Sequence, residues 1–185
     1  MKRKLLILDI DETLIFAVLD KLDRNEDFRI GDYFVYKRPC LNAFLQSVAR
    51  SYEIAVWTSS SSSYAQVAVN ALFENVNLLR FVWTRERCTQ RFNHETREHY
   101  WVKDLKKVKK SGFSLEQIIV VDDSPEKLER NYGNHIQIRP FQGDVNDSEL
   151  LDLQKYLEFL KNTDNVRFID KRNWRQVAHN GCIYL

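Results

Sequence analysis

Residues 5–14 read Leu-Leu-Ile-Leu-Asp-Ile-Asp-Glu-Thr-Leu, so that an apolar run leads directly into two aspartates and a threonine. A short, continuous apolar run predicts a strand that is buried on both faces. Side chains alternate along a strand, so Asp9 and Asp11 would stay close if the strand ended in a tight loop. Two neighbouring carboxylates suit phosphoryl transfer, in which one attacks phosphorus and the other handles the proton. Alone, the Asp-x-Asp-x-Thr pattern is as typical of a surface turn or a helix cap.

Later segments repeat this arrangement of an apolar run followed by polar residues. Residues 53–57 run into Thr58 and Ser59, and residues 117–121 run into Asp122, Asp123, Ser124 and Pro125. Between them, Lys103 begins a stretch with helical character at residues 103–108. The carboxyl ends of parallel strands meet at one edge of a sheet, so we expect these polar side chains to converge there.

The order Asp-x-Asp-x-Thr, Thr/Ser, Lys, Asp-Asp resembles the four motifs of the haloacid dehalogenase (HAD) superfamily of phosphatases. Many members carry Gly after the second aspartate, whereas Glu12 is typical of the Fcp/Scp class, the NLI-interacting-factor-like phosphatases that include RNA polymerase II C-terminal-domain phosphatases. The resemblance covers roughly residues 3 to 162. Its further matches are Lys37-Arg38-Pro39, Trp57-Thr58-Ser59 with Tyr64, Arg85-Glu86-Arg87-Cys88, Val102-Lys103-Asp104-Leu105 and Val121-Asp122-Asp123-Ser124-Pro125.

The alternation of strand and helix patterns predicts an α/β protein with three layers and right-handed crossovers. The resemblance implies a Rossmann-like α/β/α HAD fold with a central parallel sheet and small β-hairpin and β-insertion cap elements. We expect one domain over residues 1–185, with a β cap element at 16–37, a β insertion at 84–101 and a C-terminal tail at 163–185 that packs on the core or extends the sheet. Gly31-Asp32 is a candidate hairpin turn. Helical spacing of apolar residues predicts helices near residues 41–48, 64–72 and 150–160.

The family resemblance assigns a role to each catalytic position. Asp9 is the expected nucleophile, which forms an aspartyl-phosphate, and Asp11 the expected acid and base. Thr58, Ser59 and Lys103 are expected to bind the phosphoryl group. The implied cofactor is Mg²⁺, with Asp9, the backbone carbonyl of Asp11 and Asp122 as ligands.

The roles of several neighbours stay open at this stage. Asp123 is a candidate support for the metal, but Asp122-Asp123 before Ser124-Pro125 is equally typical of a helix start, with Ser124 as N-cap. Ser59–Ser63 is low in complexity, and we expect it to form a loop that caps a helix, with no chemical part for the serines beyond Ser59. Tyr64 and Arg97 are candidate substrate-binding residues. The segment around Arg97 is longer than in the family, which weakens the assignment of a substrate-binding arginine by the resemblance.

The resemblance implies a phosphatase acting on phosphomonoesters, with protein phosphoserine and phosphothreonine as the favoured substrates. A phosphorylated protein or peptide is therefore the expected partner. A small metabolite or a phosphorylated nucleic-acid end is an alternative substrate. The sequence does not distinguish hydrolysis from transfer of the phosphoryl group to an acceptor other than water. A catalytically silent binding module of the same fold is a further alternative, although every catalytic position holds a competent residue.

Composition limits the other classes of function. The formal net charge of +2 is too small to indicate nucleic-acid binding, so no direct contact with nucleic acid is expected. No apolar run reaches membrane-spanning length, and the apolar stretch after Met1-Lys2-Arg3-Lys4 lacks a signal-peptide cleavage site. Cys40, Cys88 and Cys182 form no Cys-x-x-Cys pair, which predicts buried thiols in a reducing compartment. We expect a soluble intracellular protein, cytoplasmic or nuclear, without a membrane association and monomeric.

Overall fold

A five-stranded parallel sheet forms the centre of the protein, which a computed structural model describes from residue 3 to residue 180. The strands are β1 (Leu5–Leu8), β2 (Ile15–Val18), β3 (Phe28–Ile30), β4 (Tyr33–Lys37), β5 (Glu53–Trp57), β6 (Val82–Trp83), β7 (Thr89–Asn93), β8 (Glu98–Val102), β9 (Ile118–Asp122) and β10 (His135–Gln137). The α-helices are α1 (Leu41–Ser51), α2 (Ser62–Leu72), α3 (Lys106–Lys109), α4 (Glu149–Leu160) and α5 (Trp174–Asn180). The central sheet has the order β10-β9-β1-β5-β6, which confirms the predicted parallel sheet.

Strand β1 lies in the middle of this sheet and fixes where the polar loops emerge. Its last residue, Leu8, is paired with Val56 of β5 and with Val121 of β9, both in parallel register. The three strands therefore end side by side, and the loops that begin at residues 9, 58 and 123 leave from one edge. The edge at which the predicted site residues converge follows from this register.

The two faces of β1 pack against different cores. Leu6 and Leu8 belong to a large cluster that includes residues of α1, α2, α4 and α5. Leu5 and Ile7 belong to a second cluster with residues of α3 and with Phe113 and Leu128. None of these four β1 side chains is accessible to solvent, which confirms a strand buried on both faces and a three-layer fold.

Two small antiparallel sheets accompany the central one. Strands β2, β4 and β3 pair in that order between Ile15 and Lys37, with Gly31 in the β3–β4 turn at φ +56°. A glycine adopts this left-handed conformation without strain, and the predicted hairpin is confirmed. Strands β7 and β8 form a second hairpin from Thr89 to Val102, which overlaps the region 84–101 expected to hold a β insertion.

The predicted helix at Lys103 is wrong, because Lys103 lies between strand β8 and helix α3, which begins at Lys106. The Asp104 carboxylate accepts a hydrogen bond from the backbone N–H of Lys106, and the Leu105 N–H donates to the side chain of Asn131. These side-chain bonds satisfy backbone N–H groups at the helix start, and the helix begins after Lys103.

The tail packs on the core in the part that the structure describes. Val166 and Trp174 are buried, and the Trp174 indole N–H donates to the Gln137 carbonyl at 2.8 Å. Strand β10, and not the tail, forms this edge of the sheet as far as residue 180. Residues 181–185 of the expected tail, together with Met1 and Lys2, lie outside the described residues.

The prediction of buried thiols holds for Cys88 but is wrong for Cys40. Cys88 is buried behind β5, whereas Cys40 is exposed at the N-cap of α1 with φ 63°. Both are free thiols, and Cys182 lies outside the described residues. Among residues 3–180, no helix combines the length and the apolar character that crossing a membrane requires.

The buried guanidinium of Arg38 connects the loop after β1 to distant parts of the chain. It donates two parallel hydrogen bonds to the Asp147 carboxylate, at 2.8 and 2.7 Å. It also donates to the carbonyls of Thr13 at 3.1 Å and Arg139 at 2.9 Å. Four donors are thus used by one side chain that is entirely buried. The loop that carries Asp11 is held in place by this residue.

Replacing Arg38 is expected to destabilise the fold strongly. In Arg38→Met, the Asp147 carboxylate and the two carbonyls lose their partner, and removing one member of a buried ion pair costs about 3–5 kcal/mol. Urea-induced unfolding measures the loss. Arg29→Met is the control, because Arg29 is half exposed and pairs with Glu26 at the surface, where about 0–1 kcal/mol is expected. Equal losses in the two variants would contradict the structural role of Arg38.

Candidate active site

Two buried aspartates, Asp9 after β1 and Asp122 at the end of β9, share one lysine. The Lys103 ammonium lies 2.9 Å from Oδ1 of Asp9 and 2.5 Å from Oδ2 of Asp122. All three side chains are at most 1% exposed. Charges are buried at this level only when they are paired, so the three groups depend on one another.

A second lysine that the sequence did not reveal completes this cluster. Lys127 donates to Oδ2 of Asp9 at 2.9 Å, and its Nζ lies 3.4 Å from Oδ1 of Asp122 and 3.8 Å from Oδ1 of Asp123. It belongs to the 3-10 helix Pro125–Leu128. The only sequence signal was its position four residues after Asp123, which places two side chains on one face of a helical turn.

The two lysines keep Asp9 ionised. Burial alone would raise the pKa of this carboxyl, but the charges of Lys103 and Lys127 outweigh burial and lower the pKa of Asp9 to about 2. Burial and the Asp9 charge raise the pKa of Asp122, which the two lysines oppose. The pKa of Lys127 is raised, since its three acidic neighbours outweigh its own burial. Asp9 is therefore a carboxylate at neutral pH.

Asp11 is bound by a different set of partners. Ser60 Oγ donates to its Oδ2 at 2.6 Å, and the Tyr64 hydroxyl donates to its Oδ1 at 2.5 Å. Burial raises the pKa of Asp11, the two hydrogen bonds oppose this, and the nearby Asp9 charge adds to the rise. Asp11 thus holds a proton at a higher pH than an ordinary aspartate, as a proton donor requires. Ser60, which was expected to have no chemical part, thus contacts the Asp11 carboxylate directly.

The loop after β5 supplies the expected threonine and begins helix α2. Thr58 is buried, and its Oγ1 accepts the backbone N–H of Ser60 at 3.0 Å, which leaves the hydroxyl able to donate. The Ser59 carbonyl accepts a hydrogen bond from Arg85 at 2.7 Å. Ser61 is the N-cap of α2 and accepts the Tyr64 N–H, which confirms a loop that caps a helix.

The carboxylates fit a hard divalent cation. Asp9, Asp122 and Asp123 each offer an oxygen, and these oxygens lie within 4.8 Å of one another. Within the described part of the chain, Oδ1 of Asp9 is buried and forms no well-aligned hydrogen bond, although Lys103 is near enough for an ion pair. An all-oxygen ligand set of this kind suits Mg²⁺. The Asp11 carboxylate is not in this group, so only its backbone carbonyl remains as the expected ligand from that residue.

Ser124 does not cap a helix with its side chain. Its hydroxyl donates to Oδ2 of Asp123 at 2.9 Å, and its backbone N–H donates to Oδ1 of Asp122 at 3.0 Å. Pro125 does begin a helix, of the 3-10 type. The pair therefore precedes a helical turn and also faces the cluster, and a part for Asp123 in metal binding stays a prediction.

The two candidate substrate-binding residues lie in different places. Tyr64 contacts Asp11, and its ring meets that of Tyr33 edge to face, with centroids 6.3 Å apart. Arg97 lies in the β7–β8 turn with φ 56°, at the opposite end of β8 from Lys103. Six residues of extended chain span about 20 Å. The structure brings Tyr64 to the cluster and does not bring Arg97 there, and a part for either in substrate binding stays a prediction.

Comparison with known proteins places this site in a family. Residues 4–167 match the family described as "NLI interacting factor-like phosphatase". The chain is 31% identical over 191 residues to "CTD nuclear envelope phosphatase 1" of Xenopus laevis, covering 95% of this chain and 75% of that protein. It is 33% identical over 174 residues to "Probable C-terminal domain small phosphatase" of Dictyostelium discoideum, covering 90% and 53% of the two chains.

Solved structures support the same fold. The structure of "Fcp1, an essential RNA polymerase II CTD phosphatase" matches with a TM-score of 0.67 at 16% identity over 86% of this chain. Fission yeast Fcp1-R271A bound to beryllium fluoride matches with a TM-score of 0.59 at 18% identity over 96% of this chain. In both comparisons this chain spans 62% of the other protein's solved chain. At this level of identity the similarity establishes the HAD fold.

Removing a hydrogen bond from Asp11 is expected to raise the pKa of its carboxyl further. Tyr64→Phe and Ser60→Ala each delete a donor that stabilises the charged form, so the neutral form persists to higher pH. Carbon-13 NMR titration of the aspartate carboxyl groups measures the change. Tyr33→Phe is the control, because it removes a hydroxyl from the neighbouring ring without touching Asp11. An unchanged or lower Asp11 pKa in Tyr64→Phe would contradict this account.

Proposed function

This chain belongs to the NLI interacting factor-like phosphatase family of the HAD superfamily, and we propose that it hydrolyses phosphomonoesters with Mg²⁺ through an aspartyl-phosphate on Asp9. The observation that carries the proposal is that the pKa values of two neighbouring carboxyl groups are shifted in opposite directions. Asp9 is kept ionised between two lysines, whereas Asp11 has its pKa raised and is held by neutral donors. Environments that push the pKa values of two carboxyl groups apart are typical of sites in which one group is the nucleophile and the other is the acid.

In the first step, an oxygen of the Asp9 carboxylate attacks phosphorus. A bond forms between this oxygen and phosphorus while the bond from phosphorus to the substrate's ester oxygen breaks. Asp11 gives its proton to the departing oxygen, which leaves as an alcohol. An alkoxide is a poor leaving group, and a positioned acid contributes on the order of 10²–10⁴ in rate.

In the second step, water attacks phosphorus of the aspartyl-phosphate. Asp11, now a carboxylate, takes a proton from this water. The bond between phosphorus and the Asp9 oxygen breaks, inorganic phosphate leaves, and Asp9 returns as a carboxylate. Ser60 and Tyr64 keep the Asp11 carboxyl in one orientation through both steps, because each oxygen has its own donor.

The transferring phosphoryl group needs positive charge and hydrogen-bond donors around it. Lys103 is fixed beside Asp9 by burial, and Thr58 and the loop at Ser59 lie at the same sheet edge. Mg²⁺, held by Asp9, Asp122 and the Asp11 backbone carbonyl with Asp123 in support, would supply charge neutralisation between Asp9 and the phosphate. Such positioning and electrostatic stabilisation account for most of the catalysis of phosphoryl transfer.

The proposed substrates are phosphoserine and phosphothreonine in proteins. The support is the set of relatives, whose names describe phosphatases of a "CTD" or of a "C-terminal domain". Small β elements, and not a large domain, follow the catalytic loop between Ile15 and Lys37. A macromolecular substrate can approach a site bordered in this way.

Phosphate release from para-nitrophenyl phosphate is expected to require Mg²⁺ and Asp9. EDTA should abolish turnover, and Asp9→Asn should lower it at least a thousandfold, since the amide is no nucleophile. Asp20→Asn is the control, because Asp20 is an exposed residue of the segment after β2. Activity of folded Asp9→Asn close to that of the wild type would overturn the aspartyl-phosphate mechanism.

Asp11→Asn is expected to affect substrates according to their leaving group. A phosphoserine peptide should lose about 10²–10⁴ in rate, whereas nitrophenolate leaves without a proton donor. Because the second step also uses Asp11, the variant should release a burst of about one nitrophenolate per enzyme and then slow. Rapid-mixing kinetics measures the burst. Equal losses on both substrates without a burst would show that Asp11 does not act as the acid.

A further inference from the structure

Lys127 is a second ammonium group at the nucleophile, outside the residues to which the mechanism gives a role. It approaches Oδ2 of Asp9, whereas Lys103 approaches Oδ1, so each oxygen of the nucleophile has its own lysine. The two lysines also approach different oxygens of Asp122, Lys103 at Oδ2 and Lys127 at Oδ1. The cluster thus holds two positive charges between two buried carboxylates.

The two lysines differ in their freedom to move. The Lys103 side chain is fully buried and lies between its two partners. The Lys127 side chain is 17% exposed and reaches the cluster from a one-turn helix at its rim. A lysine side chain has four rotatable carbon–carbon bonds, so Lys127 can move its ammonium toward solvent without a change in the backbone.

Lys127 approaches the same carboxylates that fit the divalent cation. Its Nζ lies within 3.8 Å of an oxygen of Asp9, of Asp122 and of Asp123, the three residues of the acidic group. An ammonium and a divalent cation held by the same carboxylates repel each other. The residues that would bind the metal are therefore already neutralised in part by this chain's own cation.

We propose that Lys127 competes with Mg²⁺ for the carboxylates of Asp9, Asp122 and Asp123 and thereby weakens metal binding. This inference rests on the proposed function, because it concerns the same metal site. Metal binding moves the Lys127 ammonium off Asp9 Oδ2 toward solvent. A lysine that only stabilised the fold would not have this effect on metal affinity.

The first test compares the dissociation constant for Mg²⁺ among variants, by calorimetric titration without substrate. Lys127→Gln should bind Mg²⁺ at least tenfold more tightly than the wild type, because the competing charge is gone. Lys127→Arg should stay within about threefold of the wild type. Lys110→Gln is the matched control, which removes one charge from an exposed position at the end of α3 and should leave the affinity unchanged. An unchanged or weaker affinity of Lys127→Gln would overturn the proposal.

The second test uses the wild-type protein and so does not depend on how a variant folds. Reductive methylation followed by mass spectrometry reports the access of each lysine to the reagent. Mg²⁺ should raise the labelling rate of Lys127 at least threefold and leave that of Lys110 unchanged. Unchanged Lys127 labelling at saturating Mg²⁺ would overturn the displacement.

The two tests separate this inference from the proposed function. Wild-type protein that binds Mg²⁺ and releases phosphate, with the same Mg²⁺ affinity in Lys127→Gln, would overturn the role of Lys127 alone. Absence of Mg²⁺ binding from both proteins would overturn the proposed metal site together with this inference. Tighter binding by Lys127→Gln with no phosphatase activity in the wild type would support the competition and contradict the reaction.

Discussion

The shared ammonium of Lys103 is the contact on which the rest of the site depends. Placing a carboxylate in a protein interior costs several kcal/mol after relaxation, and the site contains two, Asp9 and Asp122, within reach of one lysine. The ends of β1 and β9 can lie side by side with these residues only because a cation separates them. The parallel register that buries the apolar strands therefore requires the ion pair, and the ion pair requires that register. Stability and chemistry are coupled at this point.

Asp9 and Asp11 have identical side chains and lie two positions apart, but their surroundings shift their pKa values in opposite directions. Asp9 faces cations from β8–α3 and from the helix after β9, and its pKa falls. Asp11 lies in the turn after β1, where φ of 56° at Glu12 marks a left-handed backbone. This turn sends Asp11 to the hydroxyls at the start of α2, where burial raises its pKa. A left-handed backbone favours glycine, and Glu12 adopts it here with a full side chain.

Sequence predicts the parts of this site that follow from strand ends. Asp9, Thr58 and Asp122 each come directly after or at the end of an apolar run, and the parallel register brings such residues together whatever the intervening chain does. Lys127 and Ser60 were missed because their positions depend on how a 3-10 turn and a serine loop are oriented relative to other strands. Local patterns carry no information on that orientation. The helix predicted at Lys103 failed for a related reason, since Asp104 uses its side chain on the Lys106 N–H and delays the helix.

The two small antiparallel sheets are inserted where they leave the register of the central sheet unchanged. The β2–β4 sheet lies between the Asp11 turn and α1, and the β7–β8 hairpin lies between β6 and Lys103. Each is closed by its own antiparallel pairs, so its length can change without shifting β1 against β5 or β9. The Tyr64 hydroxyl donates to Asp11 while its ring contacts Tyr33 of β4, so this side chain connects the β2–β4 sheet to Asp11 in addition to the β-bridge between Asp11 and Ile15. A displacement of Tyr33 would therefore reach the Asp11 carboxyl through a single side chain, that of Tyr64.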